Sequence, residues 1–164
     1  MVNALSKAGV NGVQLKWPND LLYEGRKLAG VLLEMTGDAA GPCQVVIGVG
    51  LNVQMSKNEQ GIDQAWTDVS SICDEPISRN QLLALVLDEI MPMLERFERV
   101  GFADYRAAWE ALDVYSGQEV FIRLGDDIIA GVAQGVDDSG AVKIKTPAGL
   151  RTFNGGEVSL RFNG

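Results

Sequence analysis

The chain has 164 residues, 46% hydrophobic and 22% charged, a composition that suits one compact unit or two small ones. Fourteen Lys and Arg stand against 22 Asp and Glu, a formal net charge of -8, so the overall field repels phosphate backbones and argues against non-specific nucleic-acid binding. Histidine is absent, which excludes a Ser-His-Asp triad, a Cys-His dyad, a His-ligated zinc and an imidazole base, and leaves Lys, Arg, Asp, Asn and backbone groups for any chemistry.

Cys43 and Cys73 are far apart with no CxxC spacing, so neither a metal site nor a disulfide framework is read from them and the reducing cytoplasm is the expected compartment. The longest purely apolar stretch, Leu82 to Leu87, is far shorter than the roughly 20 residues a membrane helix needs. Asn3, Lys7, Asn11 and Lys16 interrupt the first residues, so a secretory signal is not expected.

In chain order, residues 1–9 read as a short helical piece with Ala4, Leu5 and Ala8 on one side and Gly9 as its stop. A helix of that length does not stand alone, so it is expected either to dock on the next strands or to be the end of a longer, truncated element. Val13 to Trp17 alternates as a half-buried strand does, and Pro18-Asn19 interrupts it. Leu21 to Tyr23 and Leu28 to Met35 flank Glu24-Gly25-Arg26 as the two arms of a hairpin. Cys43 to Val53 is nearly all aliphatic or β-branched, which predicts a core strand buried on both faces. Residues 37–42 and 56–63 read as connectors.

Ser78 stands at an N-cap position, and Leu82, Val86, Ile90, Leu94 and Phe97 follow at three- and four-residue steps, predicting an amphipathic helix. Pro92 predicts a kink or break near Asp88 to Ile90. Gly101 ends the helix, and a second, shorter one over Phe102 to Leu112 is expected to turn Phe102, Tyr105, Trp109 and Leu112 inward. After Asp113 the texture changes to short alternating runs, Glu119 to Leu124, Ile128 to Val136, Ala141 to Lys145, Arg151 to Phe153 and Val158 to Arg161, with glycine in each turn. Five short strands in that space suggest a small SH3-like barrel.

Two segments stand out chemically. Lys16-Trp17-Pro18-Asn19-Asp20 places a cation, an amide and a carboxylate in one stiff loop, and the hairpin that follows can return Lys27 to the same end of the sheet. Charged hairpin ends are more often simply solvated. Gly48-Val49-Gly50-Leu51-Asn52 puts two glycines into a β-branched strand, which weakens it unless a ligand or another backbone approaches closely; a bulge is the structural alternative. Val53 occupies the place of a further glycine, so a dinucleotide fingerprint is not met.

In this order and spacing, Lys16 to Asp20, Arg26 to Leu32 and Gly48 to Val53 resemble bacterial biotin protein ligases, and the likeness continues through the helix pair to Gly155-Gly156-Glu157-Val158-Ser159-Leu160-Arg161. The resemblance implies an α+β fold: a mixed or antiparallel sheet with packed helices over residues 1–113, part of a class II synthetase-like ligase catalytic domain, then an SH3-like β-barrel over 114–164. It implies a ligase that forms biotinyl-adenylate from biotin and ATP with Mg²⁺ and passes the biotin to a lysine of a biotin carboxyl carrier protein.

By that likeness, Lys27 would contact the biotin carboxyl and the adenylate phosphate as a fixed ammonium. Asp20 would either hold Mg²⁺ or orient the incoming lysine amine and accept its proton. Asn19 would support the nucleotide side and Lys16 would add positive field. Gly48 and Gly50 would let backbone approach biotin, and Asn52 would hydrogen-bond adenine. Trp17, Arg26 and Gly30 complete the implied biotin and adenylate set, Trp17 being open between pocket wall and core.

The family's N-terminal half, with its glycine- and arginine-rich GRGRxG loop, has no counterpart in the sequence, nor has the DNA-binding winged helix of some members. The chain is therefore expected to be weakly active or inactive alone, to lack a transcriptional role, and to expose sheet edges that favour a homodimer. The alternatives are an inactive ligase fragment serving as a protein-binding module, and a relative of lipoate ligases.

Overall fold

The computed structural model describes residues 1–37, 43–55, 64–125, 127–155 and 159–162. The connectors expected over 38–42 and 56–63 lie outside the described residues.

The chain opens with helix α1 (Val2–Lys7) and then four antiparallel strands, β1 (Val13–Lys16), β2 (Asp20–Tyr23), β3 (Arg26–Gly37) and β4 (Cys43–Leu51), in the spatial order β1-β2-β3-β4. Glu24 and Gly25 make the β2–β3 turn with φ of 48° and 74°, the left-handed pair that matches the twist of a two-residue hairpin. Between β2 and β3 the register shifts: Leu21 pairs with Ala29 but Leu22 with Lys27, so Leu28 is a bulge residue. The α1 side of the sheet is packed, with Leu5, Val10, Val13, Leu21, Leu28, Ala29, Val69 and Leu82 in one cluster. Short α1 is thus held by tertiary packing rather than by its own propensity.

β4 corrects the expectation of a strand buried on both faces. Among the described residues it pairs with β3 alone and so forms the sheet's edge, and Val45, Val46 and Val49 are 50%, 63% and 38% exposed. Its β-branched residues specify an extended backbone, whereas burial depends on what covers the faces, which a local pattern does not encode.

After one 3₁₀ turn (Val69–Ser71), α2 (Arg79–Val100) begins with a capping box in which the Ser78 hydroxyl accepts from Gln81 N and Gln81 reaches back to Ser78 N. The helix is continuous through Pro92, so of the kink or break expected near Asp88 to Ile90 the break does not occur. Proline removes one hydrogen bond from the ladder, but the Tyr105 hydroxyl donates to the Met93 carbonyl and Arg96 pairs with Asp104 at 2.6 Å, tying this half of α2 to α3 (Ala103–Glu110). Of the expected inward face, Leu82 and Val86 are buried while Leu94 and Phe97 stay 37% and 45% exposed. Phe102, Tyr105, Trp109 and Leu112 are half-buried.

The remaining strands are β5 (Glu119–Leu124), β6 (Asp127–Val136), β7 (Val142–Thr146), β8 (Gly149–Phe153) and β9 (Ser159–Phe162), antiparallel neighbours in the order β8-β7-β6-β5-β9 and forming an SH3-like barrel. Tyr115, Val120, Ile122, Ala133, Ile144 and Leu160 fill its core. A side chain at Gly131 would meet Ile144 Cγ2 and the Lys145 carbonyl at 2.6 Å, so close approach of β6 to β7 demands glycine there. The barrel is stitched to β1, since Leu15 N donates to the Leu112 carbonyl and Val114 N donates to the Leu15 carbonyl. Among the described residues no helix is long and apolar enough to cross a membrane.

Candidate active site

Strand register assembles the site. Lys16 pairs with Asp20 across the β1–β2 turn, Asp20 with Gly30, and Gly30 with Gly50, one row across all four strands. The bulge at Leu28 turns Lys27 toward the same row, so its ammonium lies 2.6 Å from Asp20 Oδ1 while Lys16 Nζ lies 3.6 Å from Oδ2. One carboxylate is thus held between two lysines, the shorter contact being a charge-assisted hydrogen bond. Burial pushes the Lys16 ammonium below its usual pKa, opposed by Asp20 and reinforced by the Arg161 guanidinium.

Gly48 and Gly50 lie on β4 opposite Leu32 and Gly30, and both are exposed. A Cβ at Gly50 would stand 3.8 Å from the Gly30 carbonyl and one at Gly48 3.6 Å from the Leu32 carbonyl, ordinary contact distances. Packing within the fold therefore does not require glycine at either position, and neither carries the positive φ that would. What their small size provides is bare strand backbone beside the Lys27–Asp20 pair, with Gly30 joining them: a Cβ there would sit 3.5 Å from Asp20 Oδ1 and from Lys27 Cε.

Other residues of the expected set are not drawn into this cluster. Trp17 is 4% exposed and belongs to the barrel core, its indole N–H donating to the Gly140 carbonyl at 3.1 Å, so core rather than pocket wall is its place. Arg26 sits on the exposed turn, paired with Glu24 at 3.0 Å. Asn19 is exposed, and its carbonyl accepts from Val31 N. Asn52 Nδ2 donates to the carbonyls of Lys27 (3.2 Å) and Thr67 (3.0 Å), so the amide hydrogens expected to read a base are engaged by backbone. That clasp, with Lys27 N donating to Ala65 O and Thr67 N to Lys27 O, fixes the Lys27 main chain from two sides.

Two contributors went unsingled in the sequence. Arg161 of β9 acts electrostatically on Lys16, and Tyr115 feels both Arg161 and Asp20; burial raises its phenol pKa to about 12. Both come from the barrel, and nothing local in the sequence signals that they approach a loop so far upstream. Asp68 is a further buried charge: burial pushes its carboxyl up, but hydrogen bonds from Met55 N, Ser70 and Ser71 outweigh this and hold it below the usual range. Among the described residues no three His, Cys, Asp or Glu side chains gather as metal ligands.

The antiparallel sheet with packed helices and the SH3-like barrel that follows it make the α+β architecture of biotin protein ligase structures. Residues 1–52 match the Biotin/lipoate A/B protein ligase family and residues 115–161 the Biotin protein ligase C terminal domain. The chain is 38% identical to the Bifunctional ligase/repressor BirA of Escherichia coli (strain K12) over 98% of its length, and 31% identical to the Biotin--[acetyl-CoA-carboxylase] ligase of Paracoccus denitrificans over 88%. These alignments cover 50% and 61% of the relatives, so the chain spans roughly half to three fifths of their length. A solved biotin protein ligase from Aquifex aeolicus in its apo form superimposes with a TM-score of 0.85 at 30% identity, covering 99% of this chain and 71% of that one; its complex with biotin and ATP gives the same TM-score. The chain belongs to the biotin protein ligase family.

Proposed function

We propose that this chain carries the carboxyl-activating part of a biotin protein ligase: the biotin carboxylate attacks the α-phosphorus of ATP with loss of pyrophosphate, and a lysine amine of a biotin carboxyl carrier protein then displaces AMP. The observation that carries the reading is the 2.6 Å Lys27–Asp20 pair set against the bare backbone of Gly30, Gly48 and Gly50. Bringing a carboxylate to a phosphate concentrates negative charge, and an ammonium already in place stabilises what develops without reorganising. Lys27 serves there, with Lys16 and Arg161 adding field from the flanks. The glycine shelf admits a flat ligand close to backbone donors.

Asp20 then orients the carrier amine and accepts its proton. The donor set does not fit a protein-held Mg²⁺, since Asp20 already faces two ammonium groups and no cluster of metal ligands accompanies it among the described residues. We further take the chain as two units dividing near Asp113, with the outer edge of β4, unpaired among the described residues, available to a second copy of the chain.

The reading is tested by ATP-dependent transfer to a biotin carrier domain followed by intact mass, with the wild-type chain and Lys27→Ala. A biotinyl mass gain with wild type alone is expected, slow because the chain spans about half the length of the relatives it matches. A lipoyl adduct under matched conditions, or equal transfer by both proteins, would overturn it.

A further inference from the structure

The geometry points to Trp17 as a positioning residue through which the terminal barrel holds the loop carrying Lys16 and Asp20; its functional meaning rests on the site proposed above, its geometry does not. Trp17 lies between those two charged residues in the chain yet contributes its ring to the core of a barrel built from residues beyond 114. Its indole N–H donates to the Gly140 carbonyl at 3.1 Å, across more than a hundred residues of sequence. The acceptor is rigid. Asp137 Oδ1 accepts from Ser139 N (2.8 Å), Ser139 Oγ (2.7 Å) and Ala141 N (3.0 Å), locking the turn in which Gly140 takes a φ of 87°.

A second approach comes from the same end of the barrel, where Phe153 pairs with Val142 and the chain leaves β8: a Cβ placed on Gly155 would stand 3.4 Å from Pro18 Cβ and 4.0 Å from the Trp17 ring. A third ties the strand entering the loop, since Leu15 is hydrogen-bonded to Leu112 and Val114. On the far side of the loop Asn19 O accepts from Val31 N at 2.9 Å where Asp20 enters its register with Gly30, so the Val31 amide reports on the loop's exit. An anchored Trp17 restricts the backbone between Lys16 and Asp20 and so favours the geometry in which the carboxylate is within reach of both lysines.

Amide hydrogen exchange in Trp17→Phe reads this without requiring turnover. Phenylalanine keeps an apolar ring in the barrel and removes the N–H donor, so the Val31 amide is expected to exchange about 5- to 10-fold faster, the loss of one hydrogen bond's worth of local protection. Ile144→Val loosens the barrel core while keeping the Trp17 indole N–H donor and should leave Val31 as it is. Unchanged Val31 exchange in Trp17→Phe, or equal acceleration in both variants, would reduce Trp17 to a core residue and overturn the assignment. If Trp17→Phe fails to fold, Gly155→Val, which crowds Pro18 and the edge of the Trp17 ring, is held to the same two outcomes. Loss of biotin transfer with normal Val31 protection would count against the proposed chemistry, not against the anchor.

Discussion

The two sheets of this chain are built to opposite ends. In the barrel, Ile122 and Ile144 are fully buried and each turn closes on a strand already paired. In the first sheet only the α1 side is packed; farther along β3 and β4, Leu32, Met35 and Val46 are 58%, 58% and 63% exposed. The charged cluster sits where one regime gives way to the other: open strand backbone supplies room beside Gly30 and Gly50, and the barrel supplies rigidity through Trp17. Binding sites gain from that division, because a ligand needs exposed groups that nonetheless do not move.

The contrast is sharpest at Lys27. Its removal should lower biotinyl-adenylate formation by about 10²- to 10³-fold, the usual loss when a preorganised electrostatic donor is deleted, read as biotin-dependent exchange of pyrophosphate into ATP. A change under tenfold would move the chemistry away from this row.

Next in size is a paired test of packing. Ile144→Ala should cost about 2–5 kcal/mol by denaturant unfolding, whereas Val46→Ala should stay within about 0.5 kcal/mol, because one empties a filled core and the other trims a side chain already in solvent. Equal costs would show that β4 is covered in solution.

Asp68 gives an intermediate effect with a pH signature. Its folded pKa is depressed, so its stabilisation is present above the unfolded value of 3.8 and is lost as pH falls through the lower folded value. Asp68→Ala should cost about 1–3 kcal/mol at neutral pH by leaving the Met55 and Ser71 amides without their acceptor, and the difference from wild type should shrink on acidification below about pH 4. A pH-independent difference would assign the cost to packing.

The smallest stability effect is expected at Gly50→Ala, within about 0.5 kcal/mol, since the added methyl meets nothing closer than 3.8 Å. Thermal melts and adenylate formation measured together separate the two roles: activity should fall while the melting temperature holds. Loss of both would make Gly50 a folding glycine.

Local chemistry was legible in the sequence wherever local rules decide structure. The Glu24-Gly25 turn, the Ser78 cap and the strands after Asp113 follow from turn residues, capping geometry and period-two alternation. The nearness of Lys16 and Asp20 followed from a short hairpin, and Lys27 from its partner arm, although the bulge that re-aims Lys27 has no marker in the sequence. Long-range pairings were opaque. Arg161 and Tyr115 are coupled electrostatically to Lys16 and Asp20 from the barrel, Trp17 leaves the site for the barrel, and Asn52 clasps the Lys27 main chain, each set by packing of segments distant in the chain. The β4 error has the same origin, for an edge strand and a central strand are spelled with the same β-branched residues. Pro92 stands inside a continuous α2, so the break that the local rule allows does not occur where α3 is hydrogen-bonded to the helix.

The most direct test of the site is the backbone amide spectrum of the isotopically labelled chain on addition of a non-hydrolysable biotinyl-adenylate analogue. Shifts concentrated at Lys16, Asp20, Lys27, Gly30, Gly48 and Gly50, with Ile144 and Leu150 silent, are the expected result. Shifts confined to the barrel, or none at saturating analogue, would contradict the assignment of this row as the place where biotin is activated.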